Sequence, residues 1–149
     1  MLDYIDHMLR FRKEYYRSLD PVCRKWALTH NELGVVLFLT NHPSMDRASD
    51  IVSRRGIAKS HVSQSVAALE ARGFLLRHPD DRDRRTVHLT LTDRAGELVT
   101  DAQNTQRAFF RELVSGLTAE DIANWNTILD KLVASIEQME QTKERKEEL

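Results

Sequence analysis

The chain has 149 residues, of which 41% are hydrophobic and 30% are charged, so it is long enough for one compact domain but hardly for two independent ones. It contains no apolar run of signal-peptide length and nothing near the roughly 20 apolar residues of a membrane span, so we expect a cytoplasmic location and no membrane contact. Because Cys23 is its single cysteine, it can form neither an intramolecular disulfide nor a zinc cluster of several thiolates.

The net charge is −1, but the charges are unevenly distributed along the chain. Residues 47–94 carry ten Lys and Arg against six Asp and Glu, a net of +4, which leaves −5 for the remainder. A basic middle in a chain whose remaining residues are together acidic indicates that the middle meets phosphate and that the ends meet protein or solvent.

Apolar residues at steps of three, four or seven predict a first helix from about Asp3 to Leu19, which Pro21 ends or bends. Its apolar face comprises Leu2, Ile5, Leu9, Tyr16 and Leu19. The next segment, Thr29-His30-Asn31-Glu32, has the form of a capping box and precedes an apolar run from Leu33 to Leu39. This pattern predicts a buried helix of about three turns.

Turn residues follow at positions 41–44, and Asp46 is positioned to cap a short third helix that runs to about Arg54 and ends at Gly56. A fourth helix is predicted from about Ala58 to Glu70, with Gly73 as its stop. Its apolar residues share one face at steps of four and three, and they are Val62, Val66 and Leu69.

The opposite face of this fourth helix is small and polar, so its backbone can approach DNA closely while hydroxyl, imidazole and amide groups reach base edges. Gln64 is the predicted base reader, because a glutamine amide can form two hydrogen bonds to adenine. A solvated helix face with no DNA partner is the alternative interpretation of the same residues.

Two strand-like runs follow, the first over residues 74–78 and the second over residues 86–91, in which apolar and polar residues alternate. The predicted inward residues of the second run are Val87, Leu89 and Leu91. Between them, Pro79 to Arg85 forms a hairpin with three aspartates and three arginines. An arginine there could enter a minor groove while a carboxylate holds its guanidinium; the alternative is a solvated charged turn.

The pattern from Thr92 to the end is helical. A long helix is marked by Leu98, Ala102, Phe109 and Leu113. A break follows near Gly116, and Thr118 to Asp121 begins a last helix with an acidic first turn. Its apolar seam, typical of a coiled coil or bundle, requires a partner helix and comprises Ile122, Trp125, Leu129, Leu132, Ile136 and Met139. The charged tail from Gln141 to Leu149 is expected to fray or stay solvated.

Helix, helix, glycine-containing turn, helix and two-stranded hairpin is the order of a winged helix-turn-helix, a mainly α fold with a small β-hairpin wing. We expect residues 1–28 to form an N-terminal dimerisation helix and residues 29–92 to form the DNA-binding lobe. Residues 93–142 would form C-terminal dimerisation helices, and residues 143–149 a charged tail, all within one structural domain.

Ser60 to Gly73, followed by Asp83-Arg84-Arg85 and then by Leu91-Thr92, resembles the MarR family of bacterial regulators over roughly residues 29–98. The resemblance implies that Ser60 to Ser65 lie in the recognition helix and that Asp83 and Arg85 occupy the wing positions, with Arg85 in the minor groove. It also implies that the first and last helices form a dimer interface. Ala58 and Gln64 depart from the family pattern, where a capping Ser or Thr and a basic residue are common, so the operator sequence stays open.

The predicted DNA contacts are Arg54, Lys59, Ser60, His61, Ser63, Gln64, Ser65, Arg82, Asp83, Arg84 and Arg85. By resemblance, a small and often phenolic effector binds between the dimer helices and the DNA-binding lobe. Its candidate contacts are Tyr15, Tyr16, Trp26 and His30. A core role is the alternative for these residues, because aromatic side chains of amphipathic helices usually pack inside.

Cys23 invites comparison with peroxide-sensing members of the family, in which a cysteine of the first helix is oxidised. Arg24 and Lys25 could favour its thiolate, but it follows Pro21 and lacks an aromatic surround, so we interpret it as a structural cysteine.

No zinc-protease motif, phosphate-binding glycine loop or Ser/His/Asp set is recognisable, so we predict no catalytic residue, metal or cofactor. The predicted function is a ligand-responsive repressor that binds a pseudo-palindromic operator as a homodimer; a winged-helix protein-interaction module is the alternative.

Overall fold

A computed structural model describes residues 2–147, and the side chains of residues 3–143. Its elements in chain order are α1 (Leu2–Ser18), α2 (Asp20–Trp26), α3 (His30–Asn41), α4 (Ala48–Arg55), α5 (Lys59–Ala71), β1 (Leu75–Pro79), β2 (Val87–Leu91), α6 (Gly96–Leu113) and α7 (Ala119–Glu147). A 3-10 turn, Asp93–Ala95, precedes α6. The chain divides into two compact units, one up to Phe109 and the other from Phe110 onward. This order confirms the predicted mainly helical fold with a two-stranded wing.

The N-terminal region differs from the prediction at Pro21. The first helix ends at Ser18, and Pro21 lies in the first turn of a separate helix, α2, which the sequence analysis missed. Proline is tolerated in a first turn because the N–H that it lacks would have no helical partner there. Helix α2 ends at Trp26, and the residue that caps it, Ala27, adopts a left-handed conformation with φ of 49°.

The core of the first unit is built on α3 and α5. Helix α3 begins with the predicted capping box: the Thr29 hydroxyl accepts from the Glu32 N–H at 3.2 Å, and the Glu32 carboxylate accepts from the Thr29 N–H at 2.9 Å. Residues 35–38 are all buried, which confirms the predicted buried helix. The predicted inner face of α5 is confirmed as well, since its three apolar residues are at most 3% exposed.

Helix α4 starts differently from the prediction. Arg47, and not Asp46, is its N-cap residue, and the Asp50 carboxylate accepts from the Arg47 N–H at 3.0 Å. The Asp46 carboxylate instead contacts the ring of His88 on β2. Gly56 ends the helix as predicted, with φ of 60°, a backbone conformation that favours glycine.

Strands β1 and β2 pair antiparallel along their whole length. The predicted inward pattern of β2 is only partly confirmed: Leu89 is buried and Leu91 is half-buried, whereas Val87 is exposed because it adjoins the wing loop. The Leu89 N–H donates to the Asp46 carbonyl at 2.7 Å, so the segment before α4 is attached to the outer edge of the hairpin.

The second unit carries α7, which begins where the sequence predicts. The Asp121 carboxylate accepts from the Thr118 N–H at 2.9 Å, and the Thr118 hydroxyl accepts from the Asp121 N–H at 3.1 Å. The helix continues to Glu147, so residues 141–147, which include no Gly or Pro, are helical, and the exposed side chains of residues 141–143 agree with the expectation of a solvated tail. Residues 148 and 149 lie outside the described residues, as does Met1.

The six predicted seam residues of α7 are between 36% and 61% exposed in the single chain. They form an apolar stripe along a helix whose other residues are mostly polar. Of the helices in the described residues, none has the length and apolar character needed to cross a membrane.

Candidate nucleic-acid interface

The outer face of α5 is exposed and polar. It presents Lys59, Ser60, His61, Ser63 and Gln64 to solvent, as the sequence analysis predicted. Ala58 is the N-cap residue and supplies no side-chain hydrogen bond to the helix. The first amides of α5 are therefore left without a side-chain cap, and such amides favour a phosphate oxygen when one is near.

Ser65 is a correction to the predicted contacts. Its side chain lies on the inner face of α5 beside Val66 and Leu69 and is only 5% exposed. A hydroxyl buried in this way does not reach the groove of a bound duplex, so the structure removes Ser65 from the candidate set. The error arises because position 65 lies between the inner and outer faces in helical projection, where a small polar residue fits either.

Asp80 organises the wing loop, residues 80–86, through backbone hydrogen bonds. One oxygen of its carboxylate accepts from the N–H groups of Arg82 and Asp83, each at 2.8 Å. The Asp80 N–H donates to the Thr86 carbonyl at 2.9 Å and closes the loop. The Asp83 N–H, then His88 and the Arg82 N–H, lower the pKa of Asp80 to about 2, so this carboxylate is an anion at neutral pH.

Asp83 performs a similar role one turn further on. Its carboxylate accepts from the Arg85 N–H at 3.0 Å and from the Thr86 hydroxyl at 3.3 Å. The expectation that a carboxylate of the loop holds an arginine guanidinium is wrong for Asp80 and Asp83, because their carboxylates bind the loop backbone. Their side chains are therefore occupied in shaping the turn.

The three arginines of the wing loop project into solvent. Arg82, Arg84 and Arg85 are all exposed, and among the side chains of residues 3–143 none forms an ion pair with them. Three guanidinium groups on one short, backbone-braced loop make a concentrated positive charge. Arginine is the side chain that best tolerates insertion into a narrow, negatively charged minor groove.

The ring of His88 joins the wing to the helix-turn-helix, and the sequence analysis missed it. Its Nδ1 lies 2.8 Å from an Asp46 carboxylate oxygen, and its Nε2 lies 3.1 Å from an Asp80 carboxylate oxygen. Asp46 and then Asp80 raise the pKa of His88 above its ordinary value. The signal in the sequence was a histidine at a polar position of a strand, a position that the alternation rule assigns to solvent.

A cleft of about 370 Å³ separates α4, α5 and the hairpin. Lys59 and Ser63 of α5 line it on one side, and Arg77 of β1, which forms an ion pair with Glu70 at 3.0 Å, lines it on the other. Arg54 is exposed in the last turn of α4, the helix that forms the third wall. The recognition helix and the wing thus flank an open concave surface with several cationic groups.

Three of the four predicted effector contacts lie together. The Tyr15 hydroxyl accepts from the Gln106 amide, the rings of Tyr15 and Tyr16 are 5.8 Å apart, and the Tyr16 ring is 5.7 Å from His30. His30 also contacts Asp20 at 2.8 Å. All three residues are half-buried.

Trp26, the fourth predicted effector contact, has different partners. Its Nε1 donates to Asp101 at 2.9 Å, and its ring packs edge-on against Phe74 at 6.0 Å. Lys25 also reaches Asp101, at 2.6 Å, so α2 is tied to α6. Trp26 therefore packs α2 against the rest of the unit. This is the core role that was the alternative to an effector contact.

Cys23 is buried in the core. Burial, and then the carboxylates of Asp20 and Glu32, raise the pKa of its thiol, and Arg24 opposes them only in part. A buried thiol with a raised pKa is a poor nucleophile, because oxidation by peroxide proceeds through the thiolate. The environment therefore favours the structural interpretation of Cys23.

The chain is similar in sequence to known repressors. A sequence profile of the MarR family matches residues 28–86. The homoprotocatechuate degradative operon repressor of Escherichia coli is 24% identical over 127 residues, which are 85% of this chain and 85% of that protein. The transcriptional repressor MprA of Escherichia coli (strain K12) is 29% identical over 93 residues, which are 62% of this chain and 53% of that protein.

Solved structures share the fold. The S. aureus MepR–DNA complex has a TM-score of 0.72 at 20% identity, over 91% of this chain and 96% of that chain. The transcriptional regulator PA3341 has a TM-score of 0.80 at 19% identity, over 91% of this chain and 98% of that chain. These likenesses confirm the predicted winged helix-turn-helix fold.

Proposed function

Because the chain belongs to the MarR family of winged helix-turn-helix transcriptional regulators, we propose that it is a repressor that binds operator DNA. The family resemblance found in the sequence is confirmed, and the chain is a regulator, not an enzyme. The observation that carries the proposal is the combination of an exposed polar face on α5 with three exposed arginines on the neighbouring wing, which form no ion pair with the side chains of residues 3–143. Neither feature buries apolar surface, and both present hydrogen-bonding or cationic groups on the same lobe.

In the proposed complex, α5 enters the major groove and the wing follows the adjacent minor groove. Gln64 reads a base edge, and Arg85 enters the minor groove. Asp83 acts indirectly, because its carboxylate holds the backbone of Arg85. The remaining proposed contacts, which position the lobe on phosphate or extend the base contacts, are Arg54, Lys59, Ser60, His61, Ser63, Arg82 and Arg84.

The proposed assembly is a homodimer. The apolar seam of α7 supports it, and so do four apolar residues of α1, Tyr4, Ile5, Met8 and Leu9, which are between 50% and 59% exposed. Apolar surface of this extent on a helix is rarely left uncovered on a monomer. A second copy covers it in a two-fold arrangement, and the operator is then a pseudo-palindrome with half-site centres about 10 bp apart.

A small, phenolic effector is part of the proposal. The half-buried cluster of Tyr15, Tyr16 and His30 supports it, because these side chains combine aromatic surface with hydroxyl and imidazole groups. The Escherichia coli relative that is 24% identical to this chain is a homoprotocatechuate degradative operon repressor. Since the proposed target is chromosomal operator DNA, the proposed location is the cytoplasm.

Selection of bound sequences from random duplex DNA tests the function. We expect the protein to recover a motif of two inverted half-sites, and light scattering to give the mass of a dimer for the free protein. Recovery of no motif by a protein that is nonetheless dimeric would support the alternative of a winged-helix protein-interaction module.

A further inference from the structure

The His88 ring is held between two carboxylates that belong to different parts of the DNA-binding lobe. Asp46 belongs to the segment that leads into α4, and Asp80 belongs to the wing loop. Both ring nitrogens are within hydrogen-bond distance, at 2.8 Å from Asp46 and 3.1 Å from Asp80. This three-residue cluster, which we call the His88 clasp, therefore joins the helix-turn-helix to the wing.

The geometry of the clasp requires a specific protonation state of the ring. A neutral imidazole has one N–H donor and one acceptor nitrogen, whereas the imidazolium cation has two donors. Ionised carboxylates only accept, so a neutral His88 ring can satisfy one of its two neighbours and turns a lone pair towards the other. The His88 clasp is complete only when the ring is a cation.

The state of the clasp reaches the arginines through Asp80. One oxygen of the Asp80 carboxylate faces His88, and the other accepts from the backbone N–H groups of Arg82 and Asp83. On the other side, the carbonyl of Asp46 accepts from the Leu89 N–H at 2.7 Å. The Asp80 carboxylate therefore binds both the His88 ring and the backbone of the wing loop.

We propose that His88 is a positioning residue for the wing: as a cation bound to Asp46 and Asp80, it fixes the arginine loop against the helix-turn-helix, so that duplex DNA is bound more tightly at low pH than at high pH. This inference rests on the proposed function, because the consequence is measured on DNA. His88 itself contacts no base or phosphate in this account.

Other charged groups surround the clasp on each neighbouring element. His78 on β1 is the register partner of His88, so its side chain lies on the same face of the hairpin. Further titratable or charged groups on the adjoining elements are His42, which follows α3 and stacks on Phe38, Arg47, whose backbone N–H donates to the Asp50 carboxylate at the start of α4, and Arg77 of β1, which pairs with Glu70.

The direction of the pH dependence follows from the two carboxylates. They raise the pKa of His88, so the clasp is complete at pH values below the ordinary histidine pKa of about 6.5. It is lost as the pH rises through the raised pKa of His88. Asp80 stays ionised throughout this window, since its pKa is about 2.

The test measures the dissociation constant of full-length protein for a duplex recovered by selection from random DNA. Fluorescence anisotropy at constant ionic strength is used from about pH 5.5 to about pH 8.5, a window that spans the titration of histidine. We expect the wild-type affinity to fall at least roughly fivefold over this range. The His88→Gln protein has no cationic side chain at this position. It is expected to bind the duplex at every pH with the weak affinity that the wild type shows at high pH.

Asp46→Asn is the second variant, and it leaves the wing loop untouched. Loss of one anionic neighbour lowers the pKa of His88, so the midpoint of the affinity profile is expected to move to lower pH. A residue with a merely structural role would change the affinity without moving this midpoint. The imidazole signals of His88, followed by NMR in the free protein, are expected to shift by the same amount.

Two histidines serve as controls. His78→Gln removes the register partner of His88, and His61→Gln removes an exposed histidine of α5 that we place at the DNA. Both variants are expected to keep the pH-dependent fall, although His61→Gln lowers affinity at all pH values. Thermal melting of every variant establishes that it is folded.

The inference is overturned if His88→Gln keeps the wild-type pH dependence or if Asp46→Asn leaves the midpoint in place. If the wild type selects and binds no duplex at any pH, the proposed function itself is wrong. The proposed effect of His88 on DNA binding is then rejected as well. The NMR titration then still shows whether the ring is a cation between its two carboxylates.

Discussion

Single residues of the wing divide into those that shape the loop and those that meet a partner. Asp80 and Asp83 direct their carboxylates at backbone N–H groups, so they determine where the loop lies. Arg82, Arg84 and Arg85 contribute little to that shape and keep their guanidinium groups in solvent. Substitutions of the two kinds should therefore have different signatures in DNA binding.

Arg85→Ala is expected to weaken binding to all sequences by a similar factor. One fewer cation reaches the DNA, so the slope of log affinity against log salt should become shallower by about one. Affinity measured at several salt concentrations checks this, with Arg107→Ala, an exposed arginine of α6, as the control. Wild-type affinity and salt slope in Arg85→Ala would show that the wing assignment is wrong.

Gln64 and Ser65 are neighbours in sequence with opposite exposures, and they form a matched pair. Gln64→Ala is expected to relax the preference at one base position, at a cost of about 1–3 kcal/mol for the preferred base. Ser65→Ala is expected to leave the selected motif unchanged, because its side chain is buried. A changed motif for Ser65→Ala and an unchanged one for Gln64→Ala would refute the orientation of α5.

At the scale of elements, the helix ends are set by local side-chain chemistry. The capping boxes at Thr29 and Thr118 each satisfy two N–H groups that a helix start leaves without partners. Helix α5 lacks such a cap, since Ala58 occupies the position. The element proposed to meet DNA therefore begins with backbone N–H groups that no side-chain cap satisfies.

Thr29→Ala removes one of these caps and is expected to lower the free energy of unfolding by about 1 kcal/mol. Urea denaturation followed by circular dichroism measures the change. Thr100→Ala is the control, because the Thr100 hydroxyl bonds only to a carbonyl within the exposed face of α6. Equal losses in the two variants would mean that the capping box adds nothing to stability.

At the scale of the whole molecule, each of the two units carries an exposed apolar stripe. The seam of α7 and the exposed residues of α1 lie towards the two ends of the chain, and the acidic excess lies after residue 94, with six Lys and Arg against eleven Asp and Glu. The basic middle carries α5 and the wing. The charges and the apolar stripes thus separate the surface proposed for DNA from the surfaces proposed for a second copy.

Leu129→Glu is expected to convert the dimer into a monomer at micromolar concentration, because it places a charge in the apolar seam. Thr127→Glu introduces the same side chain on the polar side of the same helix and should leave the mass unchanged. Light scattering coupled to size-exclusion chromatography gives the mass of each. A dimeric Leu129→Glu protein would place the interface elsewhere.

Much of the fold follows from the sequence because local rules decide it. The capping box at Thr29, the stop at Gly56 and the apolar face of α5 each depend on residues within one or two helical turns. The motif Asp83-Arg84-Arg85 marks the wing for a similar reason, since its spacing along the chain carries the information. These features did not need long-range contacts to be predicted.

The tertiary structure alone decided the rest. Asp46 and His88 are 42 positions apart and meet only after the hairpin folds against the segment before α4. The sequence had assigned Asp46 to a helix cap and His88 to solvent, each from local pattern. A local sequence pattern identifies only those hydrogen-bond partners that lie near a residue in the sequence. A hydrogen bond between side chains that are distant in the sequence depends on how the elements pack.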